Sequence, residues 1–334
     1  MVLAVNGLKT YFYMGRGQTI RAVNGVSFTL SKGQWLALVG ESGCGKSVTA
    51  LSIMRLIPNP PGRIVSGNVI FNGKDLLQLS DKEIDRIRGN RIAMIFQEPM
   101  TSLNPVLTIE RQLTEPLEIH RQLDHSAAVT EALRLLSLVG IPEPEKRIKH
   151  YPHQFSGGMQ QRIMIAMALA CNPEVLIADE PTTSVDVTVQ AQLLELINEL
   201  RVRFGTAVLL ITHNLGVVAR YAEYVMVMYA GRIVESAPAR VLYSAPRHPY
   251  TAGLLAAVPR LDTRRRRGAP IPGLPPDLGR LEPNMCAFSP RCKFAMGECR
   301  KQTPPLEPIG PEHYVRCFRS HETDDLLRMT DEGS

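Results

Sequence analysis

Apolar residues follow two spacings along the chain, and the alternation between them predicts the order of strands and helices. Short, nearly continuous apolar runs are typical of buried strands, whereas apolar residues at three- and four-residue steps are typical of helices. The strand-like runs are QWLALVG (34–40), RIAMIFQ (91–97), EVLIAD (174–179) and TAVLLIT (206–212). The helix-like runs between them include SVTALSIMRLI (47–57) and VTVQAQLLELINELRVRF (187–204). This alternation predicts an α/β fold whose parallel sheet is covered on both faces.

Three other regions depart from that alternation. Residues 1–95 contain β-like runs around turns, such as RAVNGVSFTL (21–30), which predicts an N-terminal antiparallel β part. Residues from about 100 to 158 show helical spacing at TIERQLTEPLEIH and AAVTEALRLLSLVGI, which predicts a helical subdomain. After about residue 258 the chain becomes rich in proline and poor in apolar residues, so it cannot build a core of its own. We therefore predict a domain over 1–258, with EYVMVMYAGRIVES as its last strand pair, and an extension over 259–334.

Composition and charge narrow the function. The chain has 334 residues, of which 44% are hydrophobic and 21% charged, and no apolar run approaches the roughly 20 residues of a membrane span. The N-terminus lacks a signal-peptide pattern, so we expect the protein in the cytoplasm, where disulfides are disfavoured. The net charge of +6 includes the run Arg264–Arg267, which we interpret as a solvated linker or a contact with anionic lipid or another subunit. No aromatic residues interleave with these arginines, and no nucleic-acid partner is expected.

A phosphate-binding loop follows the first apolar strand. GESGCGKS (40–47) matches G-x-x-x-x-G-K-[ST] and opens a helix, which is the context that this motif requires. Its glycines let successive backbone N–H groups face a phosphate chain, and the helix N-terminus adds partial positive charge. Lys46 is expected to reach the β- and γ-phosphates, and the Ser47 hydroxyl to bind Mg²⁺. The predicted nucleotide-binding set here is Gly40, Ser42, Gly43, Cys44, Gly45, Lys46, Ser47 and Val48.

Two carboxylates close the strand EVLIAD. Asp179 and Glu180 stand at its carboxyl end, the edge of a parallel sheet where ligands bind. We expect Asp179 on the Mg²⁺ side. Glu180 leaves the strand in the opposite direction and is the candidate to orient or deprotonate an attacking water.

Further motifs resemble those of ATP-binding-cassette ATPases over about residues 3–240. FSGGMQQR (155–162) resembles the LSGGQ-type signature and lies just upstream of the Asp179–Glu180 strand. IFQEP contains Gln97 at the Q-loop position, and SVD places Asp186 in a D-loop. ITHN places His213 at the switch-histidine position, followed by Asn214 where aspartate is common. The D-loop also departs from the usual pattern, with Val185 where leucine is usual.

The resemblance implies a P-loop cassette with a RecA-like core and a mechanism of ATP-driven dimer closure. Ser156, Gly157, Gly158 and Gln160 would complete a nucleotide site on a partner subunit, so that two subunits hold two ATP molecules head to tail. Gln97 would contact Mg²⁺ and the water, and His213 would hydrogen-bond the γ-phosphate. An aromatic residue near the start would stack on adenine; Phe12 fits by spacing, with Tyr11 and Tyr13 as alternatives.

The segments FQEPMTSLNP, YPHQFSGGM and RHPYTAGLLAAVP resemble the ATPases of bacterial dipeptide and oligopeptide importers. Nickel importers of the same branch look similar. The resemblance implies a peripheral subunit at the cytoplasmic face of the inner membrane. Its partners would be a second, paralogous ATPase subunit, two transmembrane permeases and an extracytoplasmic binding protein. A soluble cassette ATPase acting on nucleic acid or ribosomes is the alternative, but such chains usually carry two cassettes or a long coiled-coil insertion.

Four of the six cysteines lie in the extension. Cys286, Cys292, Cys299 and Cys317 are spaced C-x5-C-x6-C-x17-C, without the close pair with which structural zinc sites usually begin. Four thiolates with irregular spacing suit an iron–sulfur cluster, and related importer ATPases carry a [4Fe–4S] cluster in this extension. Zinc, and no metal at all, stay open as alternatives. The expected role is structural, because a metal can substitute for the missing core of a short segment, with redox sensing as a lesser possibility.

Overall fold

The structure is a computed structural model, and it describes residues 1–97, 102–182, 187–257 and 271–323. Within these ranges the chain divides into two compact units. The first comprises residues 1–3, 30–34 and 71–210, and the second comprises residues 4–29, 35–70 and 211–334. The predicted domain boundary at residue 258 falls outside the described residues, and the extension from residue 271 belongs to the second unit.

The first unit is built on parallel strands that are buried on both faces. β6 (Ile92–Ile95) and β7 (Val175–Asp179) pair in parallel from Ile92↔Val175 to Ile95↔Ala178. β8 (Ala207–Thr212), which begins in this unit, lies next to β7. The remaining strand, β5, spans only Lys74–Asp75. β7 and β8 are buried along their whole length, which explains why their sequences are continuous apolar runs without alternation.

Helices form the rest of the first unit. α3 begins after Thr108, whose hydroxyl accepts from the Arg111 N–H, and α4 begins after Asp124, whose carboxylate accepts from the Ala127 N–H. These helices confirm the helical spacing predicted for this region; they pack on each other and on α6. The helices of this unit are α2 (Asp81–Asp85), α3 (Ile109–Arg121), α4 (His125–Leu138), α5 (Pro144–Arg147), α6 (Gly157–Leu169) and α7 (Val187–Phe204).

The second unit combines two sheets. β1 (Leu3–Tyr13) lies between β2 (Thr19–Leu30) and β4 (Gly62–Phe71), as the β-like pattern of the N-terminus predicted. In the other sheet, β3 (Trp35–Val39) pairs in parallel with β9 (Tyr224–Tyr229). The chain then reverses into β10 (Arg232–Pro238), which pairs antiparallel with β9 as expected. The helices of this unit are α1 (Lys46–Ile53), α8 (Leu215–Tyr221), α9 (Ala239–Ser244) and α10 (Pro249–Ala256).

The extension continues the second sheet, which the sequence did not indicate. β12 (His313–Val315) pairs antiparallel with β10, and β11 (Glu307–Gly310) pairs with β12. Phe288 of the extension packs edge-on against Tyr229 and at a tilt against Tyr250. Phe288 therefore belongs to the hydrophobic core of the second unit.

The buried carboxylate of Glu235 connects the extension to the rest of the second unit. Glu235 of β10 is 0% exposed and accepts hydrogen bonds from the backbone N–H groups of Arg247 (2.7 Å) and His248 (2.9 Å). Its Oε1 also lies 2.9 Å from Nε2 of His313 in β12. Burial of a carboxylate is costly unless it is hydrogen-bonded, so these contacts tie β10, the start of α10 and the extension together.

Candidate functional site

The phosphate loop joins β3 to α1, as the sequence predicted. β3 is buried throughout, and residue 40 begins the loop directly after Val39. α1 begins at Lys46 with Gly45 as its N-cap residue, in a left-handed conformation at φ 110°. The exposed part of the loop is Ser42 and Gly43, where a ligand can reach the backbone N–H groups.

Two glycines are required by packing as well as by backbone conformation. A Cβ on Gly40 would lie 2.3 Å from the carbonyl oxygen of Met228, and one on Gly45 would lie 2.1 Å from the carbonyl oxygen of Ala22. Both residues have positive φ values. Gly43 also has a positive φ of 79°, but a Cβ there would meet no atom within 4 Å. Gly40 and Gly45 therefore let the loop lie directly against β9 and β2.

Lys46 lies across the loop that it serves. Its side chain is buried, with 5% of the residue exposed, and Nζ donates to the carbonyl oxygens of Gly40 (2.8 Å) and Glu41 (3.1 Å). The ammonium group is thus held against the first two residues of the loop. Ser47 and Val48 are half-buried at the first turn of α1.

The side chain of Cys44 is packed inside the loop. The side chain is buried and Sγ faces Gly40, where an added Cβ would come within 2.8 Å of it. Burial raises the pKa of the Cys44 thiol, which disfavours the reactive thiolate. The residue therefore fits the packed position that a variable place in the motif allows.

Distant parts of the chain hold Glu41, the second residue of the loop, which the local sequence pattern did not indicate. The backbone N–H of Glu41 donates to the Tyr250 hydroxyl at 2.9 Å. Its carboxylate accepts two hydrogen bonds from the guanidinium of Arg291, in the extension. The motif treats this position as variable, so nothing in the local pattern could have identified either partner.

The other residues of the second unit that were predicted to bind nucleotide lie at the ends of strands. His213 follows β8 and is exposed. Asn214 caps α8, accepting from the N–H groups of Gly216 (3.0 Å) and Val217 (3.3 Å), which is a role that asparagine and aspartate share. Phe12 of β1 is half-buried, and Tyr13 is 51% exposed. The adenine-stacking role of Phe12 stays a prediction.

The predicted carboxylate pair lies in the first unit, at the carboxyl end of β7. Asp179 is 4% exposed and Glu180 is 8% exposed. Glu180 has a left-handed backbone conformation, φ 46°, which is uncommon for a residue other than glycine. Gln97 Nε2 lies 3.3 Å from Glu180 Oε2, so the structure brings these two predicted residues together. Asp186 lies outside the described residues.

The signature segment forms the N-terminus of α6. Ser156 caps the helix, its hydroxyl accepting from the Met159 N–H at 3.4 Å, and both Ser156 and Gly157 are exposed. Gly158 lies close to Val189, where an added Cβ would be 3.3 Å from Cγ1. Gln160 turns inward, and its amide donates to the carbonyl oxygens of Pro152 (2.9 Å) and Phe155 (3.2 Å). The amide of Gln160 thus shapes the loop before the helix.

The four cysteines of the extension line one small cavity. It is walled by Cys286, Cys292, Cys299 and Cys317 together with Phe288, Phe294 and His248. The N–H of Cys286 donates to the carbonyl oxygen of Cys299 (2.8 Å), and the N–H of Arg319 lies 3.4 Å from Cys317 Sγ. Burial raises the pKa of Cys286 to about 11 and that of Cys317 to about 12.

The arrangement of these thiols does not match a site for a single metal ion. Among the described residues, no group of three or more His, Cys, Asp or Glu side chains is placed to hold one ion. This geometry therefore supports neither the zinc alternative nor the expected iron–sulfur cluster. Ser289, which also lines the cavity, has a buried hydroxyl without a hydrogen-bond partner in the described part of the chain, so the cavity retains an unused polar group.

Comparison with known families matches two separate segments of the chain. Residues 23–183 match the family profile described as ABC transporter. Residues 234–299 match the profile described as Oligopeptide/dipeptide transporter, C-terminal region, which includes three of the four extension cysteines. No helix in the described ranges is long and apolar enough to cross a membrane.

Curated relatives match nearly the whole chain. The probable peptide ABC transporter ATP-binding protein y4tR of Sinorhizobium fredii is 53% identical over 328 residues, covering 98% of this chain and 97% of the relative. The dipeptide transport ATP-binding protein DppD of Bacillus subtilis is 52% identical over 317 residues, covering 95% and 94%. The oligopeptide transport ATP-binding protein OppD of the same organism is 51% identical over 314 residues, covering 94% and 86%.

Solved structures match the cassette portion. The dimeric structure of a post-hydrolysis state of the ATP-binding cassette MJ0796 bound to ADP and Pi has a TM-score of 0.64 and 27% identity. It covers 71% of this chain and 99% of that chain. The predicted P-loop cassette fold is thereby confirmed.

We predict that the two glycine positions of the loop differ in their tolerance of a methyl group. Gly45→Ala places Cβ against the Ala22 carbonyl oxygen, whereas Gly43→Ala meets only the strain of a positive φ. Denaturant unfolding should give a free energy of unfolding about 2 kcal/mol lower for Gly45→Ala than for Gly43→Ala. Equal losses in the two variants would mean that contact with β2 does not constrain the loop.

Proposed function

The chain belongs to the ABC transporter family of ATP-binding proteins, and we propose that it hydrolyses ATP to energise the import of dipeptides or oligopeptides through a separate transmembrane channel. The observation that carries the ATPase part is the phosphate loop, with Lys46 already positioned across it. The match of residues 234–299 to the oligopeptide/dipeptide transporter region supports the peptide-import part.

The residues divide the chemistry as follows. Backbone N–H groups of Gly40 and of residues 42–48 hold the phosphate chain, and Lys46 neutralises the β- and γ-phosphates. Ser47, Gln97 and Asp179 would hold Mg²⁺, which supplies charge neutralisation of the phosphates when it is bound. Glu180 accepts a proton from the attacking water, and Gln97, within 3.3 Å of Glu180, helps to orient that water. His213 hydrogen-bonds the γ-phosphate.

A second subunit completes the site in this proposal. The N-terminus of α6 at Ser156 and Gly157 is exposed, and its N–H groups and helix dipole suit a phosphate of a nucleotide bound to a partner. Asp186 would contribute to the same interface. The dimeric state of the MJ0796 cassette supports this arrangement. The partner ATPase is a paralogue in this proposal, and the assembly includes two permeases and an extracytoplasmic binding protein at the inner membrane.

Peptides are favoured as the transported solute over nickel. The names of relatives that match 94% to 98% of this chain specify peptide, dipeptide or oligopeptide transport. A soluble cassette ATPase acting on nucleic acid or ribosomes has no such support.

We propose further that Cys286, Cys292, Cys299 and Cys317 hold a [4Fe–4S] cluster. Support comes from the convergence of the four thiols on one cavity and from the N–H of Arg319 beside the Cys317 sulfur. A cube is larger than a single ion, so its ligands stand farther apart than those of a zinc site. When bound, the cluster would cross-link the extension. The four residues must lose their thiol protons to bind it.

The solute is identified by the response of the assembled transporter. We expect the ATPase activity of the complex, purified from membranes and reconstituted with its binding protein, to rise severalfold on addition of dipeptides or short oligopeptides. Nickel chloride should leave the rate unchanged. Stimulation by nickel and not by peptides would contradict peptide import and identify the protein as a nickel importer ATPase.

The proposed general base gives a second test. Glu180→Gln removes proton acceptance but keeps the shape of the side chain, so we expect ATP turnover to fall by about 100- to 1000-fold. ATP binding should persist and trap a dimer that size-exclusion chromatography detects. The control Glu145→Gln changes an exposed acid of the same unit and should retain the wild-type rate. Unchanged turnover in Glu180→Gln would refute this role.

The iron–sulfur proposal predicts a visible property. Protein purified without oxygen should be brown and contain about four iron atoms and about four sulfides per chain. Cys292→Ser should lose most of the colour, whereas Cys171→Ser, which lies outside the cavity, should retain it. A colourless wild-type protein that contains one zinc per chain would contradict the proposal.

A further inference from the structure

An arginine of the extension contacts the phosphate loop directly. The two terminal nitrogens of Arg291 donate to the two carboxylate oxygens of Glu41, at 2.6 Å and 2.9 Å. The side chain of Arg291 is 7% exposed and that of Glu41 is 24% exposed. A bidentate pair with this little exposure is held more firmly than an ordinary surface ion pair, because its two hydrogen bonds are charge-assisted and solvent screens their attraction less. Both residues belong to the second unit.

Arg291 is held in place by other parts of the same unit. Its Nε donates to the Pro272 carbonyl oxygen at 2.9 Å, and Nη1 lies 3.4 Å from the Tyr229 hydroxyl. Its backbone N–H donates to the carbonyl oxygen of Phe288, whose ring packs against Tyr229 and Tyr250. Because these contacts already fix the guanidinium, Arg291 loses little further side-chain entropy when it hydrogen-bonds Glu41.

Glu41 is correspondingly held through three groups. Tyr250 of α10 accepts from its backbone N–H, Lys46 donates to its carbonyl oxygen, and Arg291 neutralises its carboxylate. The carbonyl contact connects Glu41 to the lysine that is proposed to bind the phosphates. The carboxylate is also an anion within a loop that must receive a polyanion, so an unneutralised Glu41 would repel the nucleotide.

We propose that Arg291 is a positioning residue for the phosphate loop, so that nucleotide affinity depends on the docked extension. This inference rests on the proposed ATP binding by residues 40–47. Removing Arg291 releases the start of the loop and leaves a negative charge beside the phosphates. Because coupling between two sites is reciprocal, bound nucleotide should in turn stabilise the docking of residues 286–299.

Nucleotide titration separates the contributions of charge and position. We expect Arg291→Gln to raise the Kd for ATP, measured with a fluorescent analogue, by about tenfold. The kcat at saturating ATP should stay within about twofold of the wild-type value. Arg291→Lys should retain part of the affinity, because it keeps the charge but not the two-pronged contact. The double variant Glu41→Gln with Arg291→Gln should recover only the part of the affinity that charge repulsion costs, and the part that stays lost measures the contribution of position. Arg300→Gln is the control, an exposed arginine of the same segment.

The outcomes distinguish this inference from the proposed function. A wild-type protein that does not bind ATP overturns the proposed function itself. A wild-type protein that binds, with Arg291→Gln binding within about twofold as tightly, overturns only the role of Arg291. Near-ultraviolet circular dichroism confirms that the variants are folded, and the conservative Arg291→Lys variant keeps the test valid if the glutamine variant does not fold.

Hydrogen exchange supplies a readout that does not depend on turnover. We expect ADP to slow amide exchange across residues 286–299 severalfold in the wild-type protein, and to have a much smaller effect in Arg291→Gln. Exchange in α4, which belongs to the other unit, is the internal reference. Exchange at residues 286–299 that is unaffected by nucleotide in the wild-type protein would refute the coupling.

Discussion

The close approach of the phosphate loop to two backbone carbonyls is the constraint on which the second unit depends. The loop can present its N–H groups to phosphates only if it curls tightly, and at Gly40 and Gly45 it then lies directly against the carbonyl oxygens of Met228 and Ala22. The loop therefore packs directly on β9 and β2, and α1 begins directly after Gly45, the second of these contact points. Lys46 is placed by the same curl, since its ammonium group spans carbonyl oxygens at the start of the loop.

The extension shows how a segment with too few apolar residues can still be ordered. It adds β12 to β10, packs Phe288 against two tyrosines of the cassette and donates His313 to the buried Glu235. Each of these contacts uses a surface that the rest of the unit already provides. The four cysteines of the extension also lie together, because they line one cavity beside Phe288.

The sequence predicted the parts of this molecule that are encoded locally. Continuous apolar runs identified β3, β6, β7 and β8, and the phosphate loop was recognisable because its glycines, lysine and serine are fixed by short-range geometry. The sequence could not reveal contacts between residues far apart in the chain. Glu41 and Arg291 are 250 positions apart, and His313 of β12 lies 78 positions from its partner Glu235 in β10. The inward turn of the Gln160 amide likewise depends on carbonyl groups of a preceding loop.

The pairing of β12 with β10 has a consequence for how the chain behaves when it is shortened. β10 is buried along most of its length, and its outer backbone groups are used by β12. A protein cut after residue 257 would expose these N–H and C=O groups beside apolar side chains, as an open sheet edge. Such an edge recruits strands from neighbouring molecules. The extension thus also prevents self-association by covering the edge of β10. A protein that ends at residue 257 should therefore be prone to aggregation.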